Sequence, residues 1–428
     1  MRLLHITAHL GGGVGKVLSR LAEESSRRSD GIRHVVACLE APEKSAFADH
    51  LSEHGAELLI CPGNQELAQQ ISRADIVQLE WWHHPVMAAW MCSGQLPPMR
   101  LVVWSHVSGL YLPELRPDFV AIPHRFLFTS PCSLLHPSLS ALDDRARSRA
   151  DFVFSSGGFD GLPAPPERKY EGALRVGYLG TLNFAKLHPR LLDFVDAVGL
   201  PDFRMVLVGD PTTGAELMDQ ATRRGLDGRV ELRGYREDVV PELAGFDVLA
   251  YILNPLHYGT TENALLEAMA MGVVPVVLDN PAERHLVENG ENGLVVSNPK
   301  EFADALAWLH AHPEECRRLS AAASRKVRGM FSIGITSERL ARHYWDLMTE
   351  SKRLYDFRPI FGDTPADWFR SCQGQEAWRF RDDGGVDLQG EPPHVLFERT
   401  KGSVFHYHRT FRADPRLASW AKGMAAWN

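Results

Sequence analysis

The sequence predicts an α/β fold with two doubly wound, mostly parallel sheets and a small C-terminal appendage. Three observations carry this. Short apolar runs alternate with helical or loop segments through most of the 428 residues, the pattern of βαβ units with right-handed crossovers. The stretch 157–166, Gly-Gly-Phe-Asp-Gly-Leu-Pro-Ala-Pro-Pro, interrupts both helix and strand and separates two such series. The segment 246–278 reads as strand, loop, helix, strand, with a second apolar run from Val273 to Leu278. The predicted divisions are 1–160, 172–335, a helix at 336–349 and an aromatic-rich extension at 350–428.

In the first domain Arg2 to Thr7 reads as a strand. Gly11-Gly12-Gly13-Val14-Gly15-Lys16 follows, then a helix from about Val17 to Arg28. A glycine-rich turn between strand and helix lets backbone approach a ligand closely. No Gly-Lys-Ser/Thr closes it, so it is not a P-loop, and it lacks the dinucleotide fingerprint. Further strands are expected at 34–39, 56–61, 76–79, 101–104 and 151–154. Glu80-Trp81-Trp82-His83-His84-Pro85 follows one of them and is expected at a cleft rim, its tryptophans either stacking on a sugar or packing inward. Without a carboxylate or Cys at ligand spacing, His83 and His84 are not expected to bind metal. His106 ends another strand.

The second domain opens with Leu174 to Gly180, a strand ending at glycine, and continues with strands at Met205–Asp210 and Val230–Leu232. Between Phe246 to Leu253 and Val273 to Leu278 the composition turns to Ala, Leu, Met and Glu, with no Pro from Thr260 to Gly272. Thr260 or Thr261 is expected to cap this helix and Gly272 to end it. Its N-terminus would lie at the carboxyl edge of the sheet, where free N–H groups and the helix dipole favour anions. Glu267, deeper in the helix, would be repelled by phosphate. It is expected instead to accept hydrogen bonds from sugar hydroxyls such as those of a ribose.

Glu267-Ala268-Met269-Ala270 and Val274-Pro275-Val276-Val277 resemble the nucleotide-sugar signature of family-4 glycosyltransferases. Asn289-Gly290-Glu291-Asn292-Gly293-Leu294-Val295 and the loop Thr181–Lys186 resemble the same family. The resemblance covers 174–330 well and 1–154 moderately. It implies the GT-B fold, with two Rossmann-like domains facing across a cleft, and a retaining transfer from a nucleotide diphosphate sugar. It also implies roles. Gly12 and Gly13 would approach donor phosphate or acceptor. His106 would hold a sugar hydroxyl or orient the acceptor. Lys186 would grip the donor diphosphate, and the Gly234–Tyr235 turn would present backbone to the base.

Two departures from the family pattern stand out. Thr181 occupies the place of the family's Arg, for which Arg175 and Arg190 are candidate replacements. Gly259 occupies the place of its first Glu. Thr260, Thr261 and Glu262 follow Gly259, so either their hydroxyls, N–H groups and carboxylate take over the sugar and diphosphate contacts, or Thr261 merely caps the helix and Glu262 offsets its dipole.

In the extension, 394–399 and 403–408 flank Thr400-Lys401-Gly402 and read as a β-hairpin, with His406 and His408 on one strand face. Its aromatics argue against disorder and for a packing module, with acceptor recognition or a partner surface as the other readings.

Composition narrows the rest. A net charge of −8 argues against a general nucleic-acid binder, and it offers no polybasic case for a membrane surface, although a local peripheral patch stays open. No apolar run reaches the roughly 20 residues of a membrane span. The first residues reach glycines too early for a signal peptide. Six scattered cysteines without a Cys-x-x-Cys pair fit reduced thiols in a cytoplasmic protein. The leading expectation is therefore a cytoplasmic glycosyltransferase that carries a sugar to a glycan, lipid-linked glycan or small acceptor. It needs no cofactor or metal, and its oligomeric state is not fixed by the sequence. The alternatives are a GT-B epimerase or phosphorylase, or a nucleotide-sugar-binding scaffold.

Overall fold

The computed structural model describes residues 1–42, 45–399 and 402–426, with the backbone alone at Ser138. The chain divides into two compact units. The first comprises 1–157, 258–261 and 333–428; the second comprises 158–257 and 262–332.

The first unit holds a seven-stranded parallel sheet. Its strands are β1 (Arg2–Thr7), β2 (Arg33–Cys38), β3 (Glu57–Ile60), β4 (Ile76–Trp81), β5 (Leu101–Ser105), β6 (Arg125–Phe128) and β7 (Ala150–Phe152). Their order is β3-β2-β1-β4-β5-β6-β7. The chain reverses its direction of travel between β1 and β4, the switch point at which doubly wound sheets bind ligands. The helix Gly12–Arg28 starts inside the glycine run, earlier than the sequence suggests, with Gly11 as its extended N-cap and Gly12 at φ +54°, a value that glycine adopts readily.

Both faces of this sheet are covered, as parallel sheets require. Leu3, Val36, Val102 and Trp104 pack under helices Gly12–Arg28 and Ile333–Leu347. Leu4, Ile6, Leu79, Trp81, Val103 and Phe126 face the opposite way, and the C-terminal extension covers them. Phe357, Phe361, Trp368, Phe369, Tyr407 and Trp420 share one core with these strands. The extension is thus part of the first unit's interior, built from helices and turns.

The expected hairpin is absent. Residues His394–Phe397 form a 3-10 turn and Val404–Thr410 an α-helix. Ser403 starts that helix by accepting the His406 N–H at 3.2 Å, and Val404 and Tyr407, three residues apart, both point into the core. His406 and His408 therefore do not share a strand face. The expected turn residues Thr400 and Lys401 lie outside the described residues.

The second unit holds a six-stranded parallel sheet of β8 (Val176–Leu179), β9 (Met205–Val208), β10 (Val230–Gly234), β11 (Val248–Tyr251), β12 (Val274–Leu278) and β13 (Leu294–Val296). Its order, β10-β9-β8-β11-β12-β13, repeats that of the first sheet, with the switch point between β8 and β11. The turns after β8 and β9 touch: a Cβ on Gly209 would sit 1.7 Å from the Gly180 carbonyl oxygen, so only glycine fits there. Among the described residues, no helix is long and apolar enough to cross a membrane.

Candidate functional site

In the second unit the switch point gathers Lys186, Tyr251, His257, Glu262 and Glu283. The loop after β8 is tied down by the segment after β11. The Asn254 N–H donates to the Lys186 carbonyl at 2.7 Å, the His188 N–H to Ile252 at 3.0 Å, and the Asn254 side chain to Phe184 at 2.7 Å. These bonds hold Lys186 Nζ 2.9 Å from Glu262 Oε2. The Tyr251 hydroxyl donates to the same oxygen at 2.5 Å and stacks on Tyr178. His257 Nδ1 stands 3.8 Å from Glu262 Oε1, and its Nε2 lies 3.1 Å from Glu283 Oε1.

Two features mark Glu262. Its backbone is left-handed, φ 50° and ψ 59°, a conformation that costs a non-glycine residue on the order of 1–2 kcal/mol. Its side chain is 1% exposed, yet Oε1 has no hydrogen-bond partner. A fully buried carboxylate oxygen left open is costly in the absence of a ligand. Burial pushes the carboxyl up, but Lys186 and His257 outweigh it and hold the group below its ordinary range. Burial pushes His257 down, but Glu283 and Glu262 prevail and raise it. Two acidic and two basic side chains thus alternate, Glu283, His257, Glu262 and Lys186, and the ammonium keeps N–H donors beyond the one it gives Glu262.

The helix therefore begins at Asn263, not at Thr260, and Glu262 is an N-cap without a side-chain cap bond. Thr260 and Thr261 do not cap it, because they belong to the first unit. Thr260 Oγ1 lies 2.7 Å from Thr129 Oγ1, while Thr261 Oγ1 donates to the Thr129 carbonyl at 2.8 Å and accepts the Ser155 N–H at 3.1 Å. Glu267 sits half-buried on the helix Asn263–Ala270. Thr181 offers no charge; its carbonyl accepts the Tyr178 hydroxyl at 3.1 Å. Neither candidate arginine replaces the missing one. Arg175 precedes β8, at the opposite strand end from Lys186, and pairs with Asp247 at 2.9 Å. Arg190 is exposed and pairs with Asp193 at 2.6 Å. Gly234, φ +71°, ends edge strand β10, and Tyr235 beside it is 58% exposed.

In the first unit His106 follows β5, and its Nε2 lies 2.8 Å from Glu80 Oε2. Glu80 is not at a rim: β4 runs on through Trp81, and the carboxylate is fully buried. Its other oxygen lies 3.0 Å from His5 Nδ1 and accepts Gln78 Nε2 at 2.8 Å. His5 Nε2 is 3.0 Å from His34 Nδ1, and His34 Nε2 is 2.9 Å from Ser25 Oγ, which donates to Asp30 at 2.9 Å. A chain of hydrogen-bonding groups thus runs from Asp30 across β2, β1 and β4 to His106. Burial pushes Glu80 up, but His106 and His5 prevail and bring it down to about 2. Burial, with His5 adding to it, brings His34 down to about 3.

Trp81 is core, and Trp82 is half-buried beside His9, His84 and His106. The extension closes over the next residues, with Tyr407 against His83 and His406 edge-on to His84. Gly12 and Gly13 are exposed at the carboxyl end of β1.

The sequence reading named His106, Lys186 and Glu262 singly and missed Glu80, His5, Tyr251, His257 and Glu283. One signal was available for the first two: His5, His34, Gln78 and Glu80 are polar residues inside otherwise apolar strands, at alternating positions that share one face.

Comparison with known proteins bears on the fold and on the family of the second unit. Residues 173–312, which carry Lys186 and Glu262, match the family model "Glycosyl transferases group 1". The lipopolysaccharide core biosynthesis glycosyltransferase LpsE of Rhizobium meliloti is 30% identical over 141 residues, 32% of this chain and 41% of that protein. The putative glycosyltransferase EpsD of Bacillus subtilis is 26% identical over 41% of this chain and 47% of its own length, so the chain spans less than half of either relative. The D-rhamnosyltransferase WbpZ of Pseudomonas aeruginosa is 26% identical over 78% of this chain and 92% of its own. Among solved structures, Anabaena HepE in complex with UDP and glucose superposes with a TM-score of 0.64 at 16% identity, over 81% of this chain and all of that one. The sucrose-phosphate synthase of Thermosynechococcus elongatus gives 0.61 at 15%, over 81% of this chain and 99% of that one. The chain has the two-sheet GT-B fold, and its 173–312 segment is similar to the group 1 glycosyl transferases.

Proposed function

We propose that the protein is a glycosyltransferase that takes a sugar from a nucleotide diphosphate sugar and transfers it, with retention of configuration, to a glycan, lipid-linked glycan or small acceptor in the cytoplasm. The observation that carries this reading is the open, fully buried Oε1 of Glu262 beside the Lys186 ammonium, inside the segment matched by the group 1 family model. Oε1 accepts a hydroxyl of the donor sugar. Lys186 gives a second N–H to the diphosphate and stabilises its charge as the glycosidic bond breaks. Glu267 receives ribose hydroxyls, Gly234 and Tyr235 meet the base, and Thr181 offers backbone where the family's Arg would bring charge. Gly12 and Gly13 line the path of phosphate or acceptor. His106, oriented by Glu80, holds an acceptor or sugar hydroxyl. The name of LpsE supports a part in lipopolysaccharide assembly, and the HepE complex with UDP and glucose supports a uridine diphosphate hexose among the donors.

A second reading, a nucleotide-sugar-binding scaffold with weak turnover, draws on Thr181, since neither Arg175 nor Arg190 replaces the missing cation.

The test is donor turnover. Incubation with a panel of nucleotide sugars and acceptors should release nucleoside diphosphate from one donor class, and proton NMR should give a product of unchanged anomeric configuration. An inverted product would overturn retention, and tight binding without release would favour the scaffold.

A further inference from the structure

We propose that Glu23, His50 and His54 form a divalent-metal site in the first unit that takes Zn2+. Glu23 lies on the helix Gly12–Arg28. His50 lies on the helix Ala46–Glu53, and His54 is its C-cap residue. Four residues apart on one helix, the two imidazoles share a face, and their ring centroids are 4.6 Å apart. One ligand atom from each of the three residues lies within 4.8 Å of the others. His50 Nε2 and Glu23 Oε2 are 3.1 Å apart, close to the separation of about 3.3 Å between ligand atoms around a tetrahedral Zn2+ with bonds of about 2.0–2.1 Å.

The donor set selects the metal. Two imidazoles and one carboxylate suit Zn2+, whereas Ca2+ and Mg2+ take oxygen ligands. The three side chains leave a fourth position for water. Arg20 also reaches Glu23 Oε2, at 2.6 Å, and orients the carboxylate. The three residues are half-buried and reachable from solvent.

The site sits where two helices meet. The Phe47 ring lies 2.5 Å from where a Cβ on Gly15 would be, so the second helix already packs on the start of the first, four residues past Gly11. A metal held by both helices would fasten this contact below the glycine turn. The sequence pattern hides the site, because its ligands come from two helices and only His50 and His54 have ligand spacing.

Chelator-stripped full-length protein should bind one equivalent of Zn2+ by calorimetry and melt at a higher temperature when loaded. Co2+ in place of Zn2+ should give the visible bands of a four-coordinate nitrogen–oxygen site. His50→Gln and His54→Gln should each weaken binding by at least about tenfold, the loss seen even for the outer partners of metal ligands. Glu23→Gln should do the same, with circular dichroism unchanged from wild type. Failure of the wild type to bind, or wild-type affinity retained in all three variants, would overturn the site. This inference is independent of the transferase reading, and the titration needs no sugar substrate.

Discussion

Replacing Glu262 by Gln tests the cluster at the second switch point, because it keeps the side chain's shape and removes its charge. The carboxylate lies 2.9 Å from Lys186 Nζ, accepts the Tyr251 hydroxyl at 2.5 Å and faces His257 at 3.8 Å. Removing one partner of a buried ion pair costs about 3–5 kcal/mol, and a hydrogen bond to a charged group is worth about 1.5–3 kcal/mol. Lys186 keeps 19% exposure and can recover some solvation, so the net loss should be about 2–4 kcal/mol. For a unit of this size that lowers the melting temperature by on the order of 10 °C.

The pH dependence follows from the directions of the two shifts. The Glu262 carboxyl is depressed, so its contribution is full above its ordinary value of 4.5 and is lost as pH falls below it. His257 is raised, so its contribution is full below 6.5 and is lost as pH rises through the raised value. The gap between wild type and Glu262→Gln should therefore be widest between about pH 4.5 and 6.5 and shrink on acidification. Calorimetric melts at several pH values measure this. A double-mutant cycle with Lys186→Met should return a coupling of about 1–3 kcal/mol. A Glu262→Gln loss below about 0.5 kcal/mol together with zero coupling would refute the reasoning.

Three further outcomes are expected. Lys186→Ala should lower turnover about tenfold to a hundredfold, the weight of one charged hydrogen bond to the leaving diphosphate; a nucleotide complex with Lys186 turned to solvent would contradict it. Glu80→Gln should destabilise the first unit by about 3–5 kcal/mol, and His106→Ala, which leaves the buried Glu80 carboxylate with His5 and Gln78, should cost about 1–3 kcal/mol and lower kcat further than that loss of stability explains. Because Glu80 and His34 are both depressed, the wild-type first unit should lose stability as pH falls below about 6.5 and again below about 4.5. Trp420→Ala, which removes a fully buried ring bonded to the Arg381 carbonyl at 3.0 Å, should cost about 3–5 kcal/mol. An extension that merely hangs on the surface would show no such loss.

Much of the fold was legible. Most strands are uniform apolar runs ended by glycine or polar residues, and they lie within a residue or two of where the sequence puts them. β6 escaped because its four residues, Arg125–Phe128, have neither alternation nor length to separate a strand from a helical turn. The hairpin error has the opposite cause: Val404-Phe405-His406-Tyr407 alternates like a strand, but the Ser403 cap and the core beneath Tyr407 impose a helix. At the site, the resemblance pointed to Lys186, and the departure at Gly259 pointed to Glu262, but neither gave their pairing. For Glu262 the sequence left two readings, a sugar contact or a helix-start residue, and neither foresaw its left-handed backbone, because nothing local favours a left-handed glutamate; Lys186, Tyr251 and His257, brought in by the sheet, hold it there. Thr260 and Thr261 looked like caps because chain neighbours were assumed to share a unit, whereas the division falls between Thr261 and Glu262.

The central claim is that residues around Glu262, Lys186 and Glu267 hold a nucleotide diphosphate sugar, and direct titration of the full chain with such donors tests it. Calorimetry should show saturable binding of one donor class at one site per chain. Glu267→Ala should weaken both the sugar conjugate and the free nucleoside diphosphate, and Glu262→Gln should weaken the conjugate more than the diphosphate. Absence of binding for every uridine, guanosine, adenosine and thymidine diphosphate sugar, or binding untouched by either substitution, would contradict the account.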